Sequence, residues 1–286
     1  MVGGGKRDAS HFVGVLGWPL EVTLSPLMHN VAFRQLNLDW IYLRWPVPPD
    51  DLGDAVSGLR ALGADGANVT MPHKQTIVEH LDSIDGDAAA TGAVNTVQRV
   101  GDTLVGHNTD VVGFSEFLVQ DAGFEPKGTR ALVLGAGGAA RAVVKALADL
   151  KAADITVAAR SDGVAGDVVA LARDDSGRAT DALAWEKVGD RIEEVDLVVN
   201  ATPVGMRGEP LLADAPFNSN HCVVDLIYSP PTTPLIEHAR AAGATGWGGL
   251  GMLVRQAAAS FAIWTGQQPP LDAMSAAAIR GIGHHH

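Results

Sequence analysis

Cysteine is almost absent, with one residue, Cys222, in a chain of 286. No internal disulfide can form, and no Cys-x-x-Cys or Cys/His spacing offers a metal site, a pattern that suits a reducing compartment. Cys222 itself is expected as a small core hydrophobe. Basic residues are also scarce: 21 Lys and Arg stand against 33 Asp and Glu, a formal charge of −12. Displacing counterions from a nucleic-acid backbone needs a basic footprint, so nucleic-acid partners are excluded, whereas a local cationic pocket for a small anion is not. No run of 18 apolar residues occurs, and the opening MVGGGKRDAS lacks the apolar core of a secretion signal. We therefore expect a cytoplasmic protein with no membrane partner. The closing HHH reads as a purification tag and not as a metal site.

What is present is an ordered, Ala- and Gly-rich α/β composition, 47% hydrophobic with only 5% aromatic residues, which favours tight packing of helices on sheets. From residue 11 to about 90, strand and helix patterns alternate: HFVGVLG, SPLMHNVAFRQLN, DWIYLRWPV, PDDLGDAVSGLRALG, GANVTMP and KQTIVEHLD. That rhythm means βαβ units and a mainly parallel sheet. Ser25 is placed to cap the first helix with Pro26 behind it, and Lys74 to open the last one. VNTVQRV and TLVGHN flank a Gly-Asp turn and read as a β-hairpin. The chain is expected to cross into a second domain near Asp110. There the alternation resumes, with a strand at Arg130 to Leu134, a helix at Ala139 to Leu150, a strand at Asp154 to Arg160 and a helix around Val168 to Arg173. Strands are also expected in DLVVNATP and HCVVDLIY. The helix GMLVRQAAASFAIWTG has no strand after it, and we expect it to return to the first domain. The division is thus 1–110 with 249–286 as a catalytic and substrate domain, and 111–248 as a Rossmann-type domain.

GAGGAA, Gly135 to Ala140, follows an apolar strand and opens an Ala-rich helix, the context that the dinucleotide fingerprint requires. Gly135 permits the tight turn, Gly137 lets the backbone approach a pyrophosphate, and Ala140 allows close helix packing. At the end of the next strand an acid would bond the ribose hydroxyl of NAD; here Arg160 and Ser161 stand in ITVAARSDG, which points to the 2′-phosphate of NADP(H). Asp162 keeps NAD open as the alternative.

Polar residues also collect at strand ends of the first half, where an open α/β sheet places its ligand: Thr23, Ser25, Asn68, Thr70, Lys74, Asn95 and Asp110. Together they describe a small, polyhydroxylated anion held by hydroxyls, amides and one cation. GWPLEVTLSPLMHN, GANVTMPHK, GAVNT, GHNTD, GAGGAAR, NATPVGM, DLIYSPPTTPL and GLGMLVRQAA occur in the order found in shikimate dehydrogenases. From about residue 11 to 280 the sequence resembles that family.

The resemblance implies NADPH-linked, reversible reduction of 3-dehydroshikimate to shikimate, in the pathway to the aromatic amino acids, by a monomer or homodimer. It assigns Lys74 and Asp110 as the catalytic pair. Thr23, Ser25, Asn68, Thr70, Asn95, Tyr228 and Gln256 match substrate positions. Gly135, Ala136, Gly137, Gly138, Ala139, Arg160, Ser161, Ala201, Thr202, Met206, Leu226, Gly249 and Met252 match the cofactor side. Thr23 replaces the first serine of the usual Ser-x-Ser-Pro motif, and Ala159 replaces an Asn, with no further Arg or Lys until Arg173. Quinate or aminoshikimate therefore remain alternative substrates, and NAD an alternative cofactor. A non-catalytic metabolite sensor is a further alternative, against which the retention of both Lys74 and Asp110 argues. Carbonyl reduction needs a proton donor where charge builds on oxygen, and Lys74 is the expected donor. At a helix start it would feel the positive end of the dipole, opposed by Asp110.

Overall fold

The computed structural model describes residues 11–20, 23–173 and 178–283. The opening decapeptide, the terminal histidines and the Asp162 side chain, each invoked above, lie outside the described residues and side chains.

The first six strands are β1 (His11–Gly17), β2 (Trp40–Pro46), β3 (Gly66–Val69), β4 (Ser83–Ile84), β5 (Thr96–Val100) and β6 (Thr103–His107). They form one sheet in the order β2-β1-β3-β5-β6-β4. Between them run α1 (Ser25–Gln35), α2 (Leu52–Leu62) and α3 (Gly86–Thr91), and α4 (Thr109–Glu116) leads out. β1 pairs parallel with β2 and β3, and β4 pairs parallel with β6. β5 is antiparallel to both β3 and β6, and the expected hairpin, turning at Gly101, joins β5 to β6.

The second sheet is parallel throughout. Its strands are β7 (Arg130–Leu134), β8 (Asp154–Ala159), β9 (Ala179–Ala184), β10 (Leu197–Asn200), β11 (Cys222–Asp225) and β12 (Thr245–Gly248), in the order β12-β11-β10-β7-β8-β9. It is flanked by α5 (Gly138–Asp149), α6 (Asp162–Val169), α7 (Val188–Ile192) and α8 (Pro234–Ala241). The order reverses beside β7, which is the topological switch point where such sheets bind ligands. Small residues let α5 lie close on its strands: Ala140, Ala142, Val143 and Ala146 are completely buried. Each Val or Leu so enclosed contributes on the order of 1.5–3 kcal/mol. Cys222 is buried here, and burial pushes its thiol up to about 12, so it acts as core.

Two last helices, α9 (Leu250–Thr265) and α10 (Leu271–Ile282), return to the first sheet. Phe261 and Trp264 of α9 and Met274 of α10 share one core with Val13 and Val15 of β1, Met28 of α1 and Tyr42 of β2.

Several local expectations are corrected. Ser25 is the first residue of α1 and not its cap; Leu24 holds that position, and the Ser25 N–H bonds Thr23 Oγ1 at 3.3 Å. Lys74 does not open an α-helix. Thr76–His80 is a 3-10 turn, and the Lys74 carbonyl accepts from Val94 N–H at 2.7 Å, which takes it out of any helical ladder. The expected dipole at Lys74 therefore disappears. The helix placed around Val168 to Arg173 is α6, which ends at Val169 and tightens into a 3-10 turn at Ala170–Ala172. Strand β9 and helix α10 were not anticipated.

Candidate active site

The turn TMPHK after β3 is pinned on three sides. Thr70 N–H donates to Leu16 O at 2.8 Å, Trp18 N–H to Met71 O at 3.0 Å, and the buried ring of His73 bonds Val47 O through Nε2 at 2.7 Å. The result is a fixed platform for Lys74, whose Nζ donates to Asp110 Oδ2 at 2.6 Å. The two side chains retain 19% and 6% exposure, so the pair is largely withdrawn from solvent screening.

Asp110 is free to face the lysine because Asn108 caps α4, its Oδ1 accepting from Asp110 N–H at 3.1 Å. Asn95 secures the other carboxylate oxygen: its Nδ2 donates to Asp110 Oδ1 at 2.8 Å while its Oδ1 accepts from Thr109 N–H at 2.7 Å. Asn68 lies deeper. Its Nδ2 faces Thr96 Oγ1 at 3.1 Å and Ser260 Oγ at 3.0 Å, and its Oδ1 accepts from the Tyr42 hydroxyl at 2.7 Å. Ser260 sits four residues after Gln256 on the same face of α9, and Thr96, Thr109 and Ser260 share hydrogen bonds of 2.7–3.3 Å. Buried polar groups without partners cost about 1–3 kcal/mol each; here they are paired with one another.

A cleft of about 180 Å³ opens over this floor. Asn68, Thr70, Lys74, Asn95 and Asp110 line it from the side of the first sheet, Ala139 from α5, Leu226 and Tyr228 from the segment after β11, and Gly249, Met252 and Gln256 from the start of α9 and the residue before it. Burial raises the Tyr228 hydroxyl above its ordinary range. Thr23 and Ser25 lie outside the lining. Ser25 is buried beside the Tyr42 hydroxyl, which donates to Asn68, so it reaches the cleft only indirectly.

The remaining nominated residues stand at the carboxyl ends of three neighbouring strands: Gly135, Ala136, Gly137 and Gly138 after β7, Arg160 and Ser161 after β8, and Ala201, Thr202 and Met206 after β10. None of these lines the cleft. Gly135 has φ +105°, and a side chain there would meet Ala201 O at 3.0 Å. At Gly138 a Cβ would press on the Lys74 stem, 3.1 Å from its Cδ, so the glycine loop and the lysine are in direct contact. The first turn of α5 has no side-chain cap, and the space over Gly137 is open to 4 Å. Free N–H groups at a helix N-terminus with room above them fit a pyrophosphate. Arg160 and Ser161 are exposed, at the place where a second phosphate would lie.

Asn200 and Asp225 brace the loops on that side. Asn200 Nδ2 donates to Asp225 Oδ1 at 3.0 Å, its own Oδ1 accepts from Thr202 N–H at 2.9 Å, and Thr233 Oγ1 donates to Asp225 Oδ2 at 2.6 Å. Desolvation raises the Asp225 carboxyl, against the pull of these donors. Tyr42, Thr96, Thr109, Ser260 and Asp225 escaped the sequence reading. The four-residue spacing of Gln256 and Ser260, and a tyrosine at an inward position of an alternating strand, were the available signals.

A doubly wound sheet with an uncapped glycine loop, set against a second lobe that presents a lysine–aspartate pair, defines a two-lobed dinucleotide-dependent oxidoreductase. Comparison with known proteins narrows this. Residues 15–97 match the family described as shikimate dehydrogenase substrate binding domain, residues 118–212 the one described as shikimate/quinate 5-dehydrogenase, and residues 249–279 the shikimate 5′-dehydrogenase C-terminal domain. The shikimate dehydrogenase (NADP(+)) of Geobacter metallireducens is 46% identical over 90% of this chain and 92% of its own. Among solved structures, the Thermus thermophilus shikimate 5-dehydrogenase in complex with NADP(H) and shikimate superposes with a TM-score of 0.83 at 36% identity, covering 95% of this chain and 99% of that one. The quinate dehydrogenase of Corynebacterium glutamicum in complex with NAD gives 0.86 at 29% identity, covering 95% and 99%. The chain belongs to the shikimate dehydrogenase family.

Proposed function

We propose that this protein is an NADP-dependent shikimate dehydrogenase, interconverting 3-dehydroshikimate and shikimate in the route to the aromatic amino acids. The observation that carries the proposal is the Lys74–Asp110 pair, 2.6 Å apart, in a cleft that both lobes line. When bound, the dinucleotide supplies the hydride. The Lys74 ammonium donates a hydrogen bond to the C3 oxygen, stabilises the alkoxide as it develops and passes it a proton; in the oxidative direction it takes that proton back. Asp110 holds Lys74 in place and accepts from a substrate hydroxyl, and Asn95 fixes its orientation. Asn68, Thr70, Tyr228 and Gln256 surround the ring, while Thr23 and Ser25 receive the carboxylate.

On the cofactor side, the residues from Gly135 to Ala139 cradle the pyrophosphate and Arg160 with Ser161 meets the 2′-phosphate. Ala201, Thr202, Met206, Leu226, Gly249 and Met252 enclose the nicotinamide end. We assign 1–110 with 249–286 to the substrate unit and 111–248 to the cofactor unit, and place the protein in the cytoplasm. Among the described residues no helix is long and apolar enough to cross a membrane.

Assay of the purified protein with shikimate and quinate, each with NADP+ and NAD+, tests this. Turnover is expected to be fastest with shikimate and NADP+; no turnover in any of the four combinations would defeat the proposal. Quinate with NAD+ is the second reading, left open by Thr23 in place of a serine and favoured on the cofactor side by the lack of a second cation soon after Arg160.

A further inference from the structure

The residues at 91–95 fasten every part of the reactive pair. Val94 N–H holds the Lys74 carbonyl at 2.7 Å. Thr91 Oγ1 and Ala93 O both accept from Asn108 Nδ2 at 2.9 Å, which anchors the cap of α4, and the Asn95 side chain fixes the Asp110 carboxylate. A displacement of this short segment therefore moves Lys74 and Asp110 together.

The cofactor lobe reaches this segment through Arg141, in the first turn of α5 directly after the glycine loop. Its Nε donates to Thr91 O, a carbonyl in the last residue of α3, and its guanidinium lies over Gly92, where a Cβ would come within 3.2 Å of Nη2. One turn further along α5, Lys145 Nζ approaches Asp87 Oδ1 of α3 at 3.8 Å. Withdrawing a guanidinium from water toward a neutral carbonyl lowers its proton affinity, and desolvation is the leading influence on Arg141. Such a placement is costly unless the contact itself serves a purpose.

We propose that Arg141 is a positioning residue. It ties the 91–95 segment to the helix whose N-terminus takes the pyrophosphate, so that Lys74 and Asp110 come into register when the cofactor lobe is correctly seated. The inference rests on the function proposed above. Arg141 acts through Thr91 and touches neither substrate nor cofactor. A lysine could keep the charge but not the planar fork that spans Thr91 O and the surface of Gly92.

The test uses the intact protein and the variants Arg141→Met and Arg141→Lys. NADPH affinity is read by fluorescence titration, and exchange of the Val94 and Asn95 amides is read with and without NADPH. Addition of NADPH is expected to slow those amides in the unsubstituted protein and to leave them unslowed in both variants, with NADPH affinity within about twofold. A loss of about 1 Å in placement costs up to about a hundredfold in rate, so kcat should fall about tenfold or more while the KM for shikimate moves less than about threefold. Unchanged kcat and exchange in either folded variant would overturn the proposal. So would a loss of NADPH affinity as large as the loss of kcat, since Arg141 would then be a cofactor ligand. Should Arg141→Met not fold, Arg141→Lys decides by the same criteria. The exchange measurement needs only bound cofactor. A protein inactive on shikimate would thus refute the substrate assignment without deciding the role of Arg141.

Discussion

The two sheets solve different problems with the same number of strands. The second, all parallel, fills most of its interior with Val, Leu and Ala, confines its buried polar side chains chiefly to the Asn200–Asp225–Thr233 brace, and offers at its strand ends a glycine loop with free amides and one exposed arginine. In the first, β5 runs antiparallel between β3 and β6, and a row of buried Asn, Thr and Ser side chains extends under the cleft. A cofactor common to many enzymes can be bound by regular structure. A particular ring with its hydroxyls must be met by side chains, each held by another.

The comparison breaks most sharply at Lys74. Lys74→Met should lower kcat by a hundredfold or more, the low end of about 10²–10⁴ for general acid–base catalysis, while NADPH affinity, measured by fluorescence titration, stays near that of the unsubstituted protein. An equal loss on both sides would mean that the lobes are not chemically separate.

A second test falls in the first lobe alone. His29 is fully buried, stacked on Tyr42 at 4.4 Å with neither ring nitrogen hydrogen-bonded, and burial lowers its pKa from 6.5 to about 3. The unfolded chain therefore binds a proton below pH 6.5 that the folded one refuses until about pH 3. Stability from this residue is full above 6.5 and is lost as pH falls through that window, at about 1.4 kcal/mol per pH unit. Urea melts at several pH values should show His29→Phe with a shallower acid dependence than the unsubstituted protein.

Arg160→Ala should cost about tenfold in kcat/KM for NADP+, the worth of one charge-assisted hydrogen bond, and leave NAD+ almost unaffected. A smaller effect should come from Tyr42→Phe. It removes the hydroxyl between Ser25 and Asn68, worth about 1 kcal/mol, so the KM for shikimate rises severalfold while that for NADP+ holds.

Legibility in the sequence followed the same divide. β7 was located to the residue and the glycine loop with it, because strand, glycines and Ala-rich helix are consecutive in the chain. The β5–β6 hairpin was readable from its Gly-Asp turn for the same reason. Tyr42, Thr96 and Ser260 were not, since the bonds that join them to Asn68 and to one another span 26 to 192 residues, and the spacing of Ser260 from Gln256 is also that of any two residues on one helix face. The Lys74 turn failed as an α-helix because Val94, twenty residues on, claims its carbonyl. β9, with its outer residues exposed, and the Ala-rich α10 carried too little alternation or periodicity to be noticed.

The return of α9 and α10 to the first lobe has a consequence for how the chain comes into being. Of the two cores of the first lobe, the one that Val13, Met28 and Tyr42 share cannot close until Phe261, Trp264 and Met274 arrive, nor can the pocket floor form before Gln256 and Ser260. The cofactor sheet, whose strands lie between residues 130 and 248, has all of them in hand earlier. The usual order of N-terminal domain first is therefore expected to reverse on the ribosome, with the lobe that holds β1 completed last.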